Sequence, residues 1–325
     1  MDVSEISPGS ETGVLIIGGG LVGASLAIAL DGAGMRVALA EAAPPRVDLQ
    51  ASYDERNLAL ARASVNALEA LGVLDAAVPA TPIRRIHVSR RGDFGAVRLD
   101  AAGLGLPPFG AVLPARELGN ALLRRLDACR ALERIAPAQA VAIDARDATV
   151  EVDLRGGDAV RRVRARLLVG ADGSESFVRA AFGIDAERRD YAQAAFATTL
   201  TTEQPLDGRA YERFTDSGPV ALLPLGEHRA GLVLTVPSAD AARVAAFDDD
   251  AFLAFVHERG PDGVFAVHGY PISADTSTFI VETDEASWRR AGLDEFGTGE
   301  PPGRSDMNSK EYLARLFADQ IEEHR

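Results

Sequence analysis

The apolar positions of this chain change period several times, and each change marks an element. Val14–Ile17 is an unbroken run of Val, Leu and Ile, the pattern of a strand covered on both faces. Three glycines follow at Gly18, Gly20 and Gly23, and Val22–Leu30 then reads as an apolar helix. Gly32 and Gly34 can end that helix, because glycine tolerates the left-handed conformation. Arg36–Ala40 is a second apolar strand that finishes on Glu41. Ala42–Ser52, with Pro44 and Pro45, reads as a loop. Tyr53–Leu71 reads as a helical region closed by Gly72, with Leu58, Leu60, Val65, Leu68 and Leu71 as its apolar positions. Ile83–Leu99 alternates like a hairpin around an Arg91-Gly92-Asp93 turn, and His87 is a strand residue within it. Pro107–Pro114 reads as a loop and Arg116–Leu132 as an amphipathic helix.

Short strands are expected at Ala140–Ile143 and Thr149–Leu154, with a hairpin turn at Arg155–Asp158. Val160–Leu168 returns and runs into Val169-Gly170-Ala171-Asp172-Gly173, an apolar strand ending in a glycine and an acid. Such an end belongs at the carboxyl edge of a parallel sheet, where ligands sit. Beyond Gly183 the pattern turns to antiparallel β. Ala195–Thr202, Arg209–Phe214, Val220–Leu225 and Ala230–Val236 form a run of hairpins with one face available to cover a ligand. Helices are expected at Phe247–Arg259 and Asp284–Ala291, a strand at Thr276–Val281, and a terminal helix at Lys310–Glu323 with Leu313, Leu316, Phe317 and Ile321 as one stripe.

The spacing of the first three glycines carries the chemistry. Gly18 permits a tight turn, Gly20 lets backbone N–H groups approach a diphosphate, and Gly23 lets the helix pack on the strand. The amides at the front of the helix, Leu21 and Val22 among them, add the partial positive charge of a helix N-terminus. Glu41 stands where a carboxylate can accept hydrogen bonds from an adenosine ribose. Thr12–Leu30 contains no charge and is long enough to span a bilayer, but an acidic leader precedes it, so it lacks the basic flank of a signal peptide. Arg56 can be read as a surface residue or as a guanidinium fork on the cofactor's phosphates.

Composition narrows the classes. The 325 residues can bury a sizeable core in about two domains. A net charge of −14 argues against nucleic-acid binding, and residues 240–325, with 18 Asp and Glu against 8 Lys and Arg, carry most of it. The single cysteine, Cys129, precludes an intramolecular disulfide, fits a reducing cytoplasm, and is read as part of a buried helix face. No His, Cys and carboxylate set has metal-site spacing, so no metal is expected. Residues 1–12 read as a disordered tail and 297–309 as a linker.

Taken together, GGGLVGASLAIAL, DERNLAL, HVSRRGDFGAVRLDA, LLVGADGSESFVR and RAYERFTDSGPVALLPL resemble the FAD-dependent aromatic hydroxylases, and most of all the ring hydroxylases of ubiquinone biosynthesis, over residues 12–263. The resemblance implies an α/β fold: a glutathione-reductase-type FAD-binding Rossmann domain (residues 13–82 and 115–185) with an antiparallel β-sheet substrate domain (83–114 and 186–282), followed by a helical, acidic segment at 283–325. It implies that Gly18, Gly20, Gly23 and Glu41 hold the adenosine diphosphate of FAD. Arg56 and Arg116 would lie along the phosphates or flavin, and Asp172 and Gly173 near the ribose and pyrophosphate. It further implies NADH or NADPH as co-substrate and O2 transferred to a small aromatic substrate, such as a polyprenyl phenol, through a flavin C4a-hydroperoxide. Tyr211, Arg213 and His228, on the substrate sheet, are candidates for touching that substrate. The implied setting is cytoplasmic, with peripheral membrane or multi-enzyme association.

Two departures bear on this. Val264–Arg325 is more similar to aryl-CoA flavin hydroxylases of the salicylyl-CoA type. The Gly-Asp-Ala-His motif that meets the flavin in these families has no counterpart, and the chain stops where it would begin. Two other readings therefore stay open: a non-catalytic fragment retaining the adenosine half-site, and a nicotinamide dehydrogenase using the glycine turn for NAD.

Overall fold

The computed structural model describes residues 12–43, 56–91, 96–257, 265–271, 277–283, 285–295 and 306–317. The expected tail up to residue 11, the loop at 44–52, the Gly92-Asp93 part of the hairpin turn and the linker at 297–305 lie outside the described residues. In chain order the elements are β1 (Thr12–Ile17), α1 (Leu21–Gly32), β2 (Val37–Ala40), β3 (Asn57–Ala61), α2 (Arg62–Ala70), β4 (Thr81–Ile83), β5 (Arg85–Arg90) and β6 (Ala96–Asp100). Next come β7 (Gly110–Pro114), α3 (Ala115–Asp127), β8 (Leu132–Ile135), β9 (Gln139–Ala145), β10 (Val150–Gly156), β11 (Ala159–Gly170) and α4 (Phe177–Ala181). The chain continues through β12 (Gln193–Thr201), β13 (Arg209–Thr215), β14 (Gly218–Pro224), β15 (Arg229–Pro237), α5 (Ser238–Ala245) and α6 (Asp249–His257). The last described elements are β16 (Phe265–Pro271), β17 (Ser277–Thr283), α7 (Glu285–Arg290) and α8 (Met307–Leu316).

Two six-stranded sheets dominate. The first has the order β8-β2-β1-β11-β10-β9. Its first four strands are parallel, β10 runs antiparallel to β11, and β9 runs antiparallel to β10. The apolar run in β1 sits at its centre and is buried on both faces. Val14 and Ile16 pack with Ile28, Leu118 and Leu122 of α1 and α3, while Leu15 and Ile17 pack with Val152, Leu154 and Val163. The second sheet has the order β12-β15-β14-β13-β5-β6, antiparallel except between β5 and β13. A three-stranded sheet, β3-β7-β4, lies between them in contact terms: Val112 of β7 packs with Ala210 and Leu225 of the second sheet, and Leu113 with the core of the first.

Several expectations need correction. Pro107–Pro114 is not all loop, because Gly110–Pro114 is the middle strand of the small sheet, with Val112 and Leu113 fully buried. Its flanking prolines masked it. Gly110 itself is dictated by packing, since a Cβ there would stand 1.9 Å from the Leu60 carbonyl oxygen. Among the described residues of the expected helix over Tyr53–Leu71, the helix runs from Arg62 to Ala70. Asn57–Ala61 is a strand, and the alternation of Leu58 and Leu60 follows period 2 rather than 3.6. Helix α3 stops at Asp127, and Leu132, its expected end, opens β8 instead, so Cys129 lies just past the helix rather than on its face. Helix α5 and strand β16 carried no strong periodic signal and went unpredicted.

Candidate functional site

The site is built where β1, β2 and β11 end together. Gly18 has φ +104°, and a Cβ there would stand 2.2 Å from the Ala171 carbonyl oxygen, so the turn closes against the end of β11 only with glycine. A Cβ on Gly23 would stand 1.9 Å from the Gly18 oxygen, which fixes how closely α1 approaches the turn. Gly20 is different. It has φ −66° and ψ −172°, which any residue adopts, and nothing lies within 4 Å of where its Cβ would be. The first two glycine constraints serve packing; the third leaves space open.

That space faces the front of α1. The first helical bond runs from the Ala24 N–H to the Gly20 carbonyl, so the amides of Leu21, Val22 and Gly23 precede the helical ladder. Gly20 caps the helix without a side chain. Beside it, Glu41 is fixed by two backbone donors: Gly19 N–H donates to Oε2 at 2.7 Å and Ala43 N–H to Oε1 at 2.7 Å. Glu41, Gly19, Leu39, Arg134 and Ala136 line a small recess. The cradle therefore offers unpaired amides for a dianion and a pinned carboxylate for adjacent hydroxyls.

Asp172 and Gly173 fall near this point by connectivity. Ala171 N–H donates to the Ile17 carbonyl at 2.7 Å, which sets Asp172 and Gly173 next to Gly18. The Asp172 carboxylate accepts from the Ser176 hydroxyl at 2.5 Å and from Val178 N–H at 3.1 Å, so it braces the start of α4. Gly173 has φ +88° and is exposed. Arg56 and Arg116 are brought together, because Ala115 N–H donates to the Arg56 carbonyl at 2.8 Å where β3 meets the start of α3. The Arg116 Nε lies 3.6 Å from Glu117. Arg134, in the recess, stands at a position that no sequence pattern marks.

The three substrate candidates separate. Tyr211 and Arg213 share one face of β13, on the side where α5 and α6 pack, while Ala210 faces β7. The Tyr211 and His87 rings lie 5.5 Å apart. Burial, then the Arg91 charge, push the Arg213 guanidinium below its ordinary value. His228 is not on the sheet face as expected. It sits in the exposed turn between β14 and β15, where its Nδ1 lies 3.1 Å from the Thr202 carbonyl oxygen. A tight turn needed those residues, and the alternation of β15 begins only at Arg229.

Comparison with known proteins adds a family. The model of the FAD binding domain matches residues 11–263. The chain is 35% identical over 225 residues to the 3-demethoxyubiquinol 3-hydroxylase of Escherichia coli, covering 68% of this chain and 56% of that enzyme. It is 60% identical over 72 residues to the salicyloyl-CoA 5-hydroxylase of a Streptomyces species, covering 22% of this chain and 14% of that one. Among solved structures it is similar to Pseudomonas aeruginosa PqsL in complex with 2-aminobenzoylacetate, with a TM-score of 0.65 and 26% identity, covering 77% of this chain and 67% of that chain. The chain spans just over half the length of the curated relatives it matches over most of its own residues.

Proposed function

The chain belongs to the FAD-binding-domain family, and on that premise we propose that it binds FAD at the glycine cradle and hydroxylates an aromatic ring with NADH or NADPH and O2. The carrying observation is the open space at Gly20 in front of the Leu21, Val22 and Gly23 amides, with Glu41 pinned beside it. In this reading those amides take the FAD diphosphate and Glu41 accepts from the adenosine ribose. Arg56 and Arg116 lie along the phosphates or flavin, and Asp172 and Gly173 border the ribose side. Bound FAD supplies the redox chemistry that delivers one oxygen atom of O2 to the ring. The chain's own part is to hold the cofactor, orient the ring and keep water out.

The similarity to a ubiquinol hydroxylase supports a polyprenyl phenol as substrate, with peripheral membrane or multi-enzyme association. The segment similar to salicyloyl-CoA 5-hydroxylase favours a second reading, an aryl thioester. The test is fluorescence titration of the purified chain with FAD, followed by NAD(P)H oxidation and mass analysis of each aromatic candidate. FAD-dependent NAD(P)H consumption with a product heavier by one oxygen supports the proposal. Absence of flavin binding, or nicotinamide turnover without flavin, overturns it.

A further inference from the structure

Sheet order and side-chain alternation gather four arginines on one face of the second sheet. Arg209 lies beside Arg85 and Tyr211 beside His87 in the β13–β5 register, His87 lies opposite Arg98 in β6, and Arg213 stands two residues beyond Tyr211. Helices α5 and α6 cover the other half of this face, with Phe247, Phe252 and Phe255 packed in one cluster with Leu232 and Leu234. Among the described residues counter-charge is thin. Asp207 reaches within 3.8 Å of Arg85, but its side chain is 74% exposed. Asp100 is engaged by the Ala102 and Gly103 amides. The positive field registers at His87, which is held below its ordinary value first by burial and then by Arg98, Arg209 and Arg213. This strip runs against a net charge of −14.

A second observation points to a missing partner. The Arg213 Nε is buried and has no hydrogen-bond partner among the described residues. Buried donors are almost always paired, and one on a cation is the costliest to leave unmet. Arg209 Nη1 donates to the Tyr211 hydroxyl at 3.2 Å, which leaves the Tyr211 O–H to donate outward. The Tyr211–His87 ring pair supplies a flat apolar surface between the guanidinium groups.

We propose that this strip is a second ligand site, separate from the glycine cradle, that takes the phosphate groups of a small phosphorylated molecule on Arg213, Arg98, Arg209 and Tyr211. Guanidinium forks match phosphate oxygens in pairs. From Arg209 to Arg213 a strand rises about 13 Å, so the ligand carries more than one negative charge. The site does not depend on the FAD reading, and its occupancy is measured without turnover.

The experiment is calorimetric titration of the full chain with inorganic pyrophosphate at low ionic strength, repeated on Arg213→Met, Arg98→Met, Arg213→Lys and, away from the strip, Arg146→Met. The site requires binding by the wild type, at least tenfold weaker binding by the two strip methionine variants, an intermediate value for the lysine, and no change for Arg146→Met. Circular dichroism establishes that each variant is folded. No binding by the wild type, or equal binding by all four variants, overturns the proposal. So does recruitment to phosphatidylglycerol vesicles that needs Arg213 while pyrophosphate neither binds nor competes, because the strip would then be a membrane surface.

Discussion

Replacing Gly20 with alanine puts a methyl group into space where no atom lies within 4 Å. The backbone there, φ −66° and ψ −172°, suits any L-residue. Two small stability effects oppose each other. Alanine restricts the unfolded chain, which stabilises by about 0.4–1 kcal/mol. Glycine is the better helix cap, which offsets this by a similar amount, about 0.5–1 kcal/mol. The sum lies within about 1 kcal/mol of zero, or a change in Tm of about 2–4 °C for a chain this size. The ligand meets a different situation. The methyl holds a diphosphate away from the Leu21 and Val22 amides, and each hydrogen bond to a charged group contributes about 1.5–3 kcal/mol. Losing two raises the FAD Kd by about a hundredfold or more. Thermal unfolding without FAD and quenching of FAD fluorescence measure the two quantities separately. An unchanged Kd would refute the cradle as the diphosphate site, and a large fall in Tm would refute the open space.

Gly23→Ala should behave oppositely, because its Cβ would stand 1.9 Å from the Gly18 oxygen; the chain should lose several kcal/mol, of the order of 3 or more, and appear as insoluble protein or a strongly lowered Tm. Glu41→Gln leaves either the Gly19 or the Ala43 N–H facing an amide instead of an oxygen, at a cost of about 1–3 kcal/mol by chemical denaturation, with FAD affinity at least about tenfold weaker. Leu15→Ala, at a fully buried position, should cost about 2–5 kcal/mol in the same assay. His87 titrates below its ordinary 6.5 in the folded chain, first through burial. The unfolded chain therefore takes up the proton first, so this stability is complete above pH 6.5 and is lost as pH falls below it. His87→Gln should flatten the fall in Tm between about pH 7 and pH 5; an equally steep fall in the variant would show that His87 is not responsible.

The opening strand, turn and helix were legible because three signals coincided: a β-branched run, glycine spacing and an acid at the end of the next strand. The hairpins of the second sheet were legible from alternation, and Asp172-Gly173 from a strand that ends in a turn. What escaped was set by tertiary contact. Gly110–Pro114 looks like a loop, yet becomes a strand because Leu60 and Ile83 flank it and only glycine permits the approach. Arg134 enters the recess from a position that no local pattern marks.

Strand β11 does two jobs, antiparallel to β10 in its first half and parallel to β1 in its second, with Ala165 beside both Thr12 and Val150. The chain therefore makes one edge of its first strand long before the segment that covers it. During synthesis at about 5–20 residues per second, the apolar stretch in β1 leaves the ribosome roughly 8–30 s before its neighbour. For that interval the nascent protein carries an uncapped hydrophobic ribbon, a natural client for a holding chaperone. Changes that slow translation between these two strands should prolong that exposure and lower the soluble yield, with no alteration in the finished molecule.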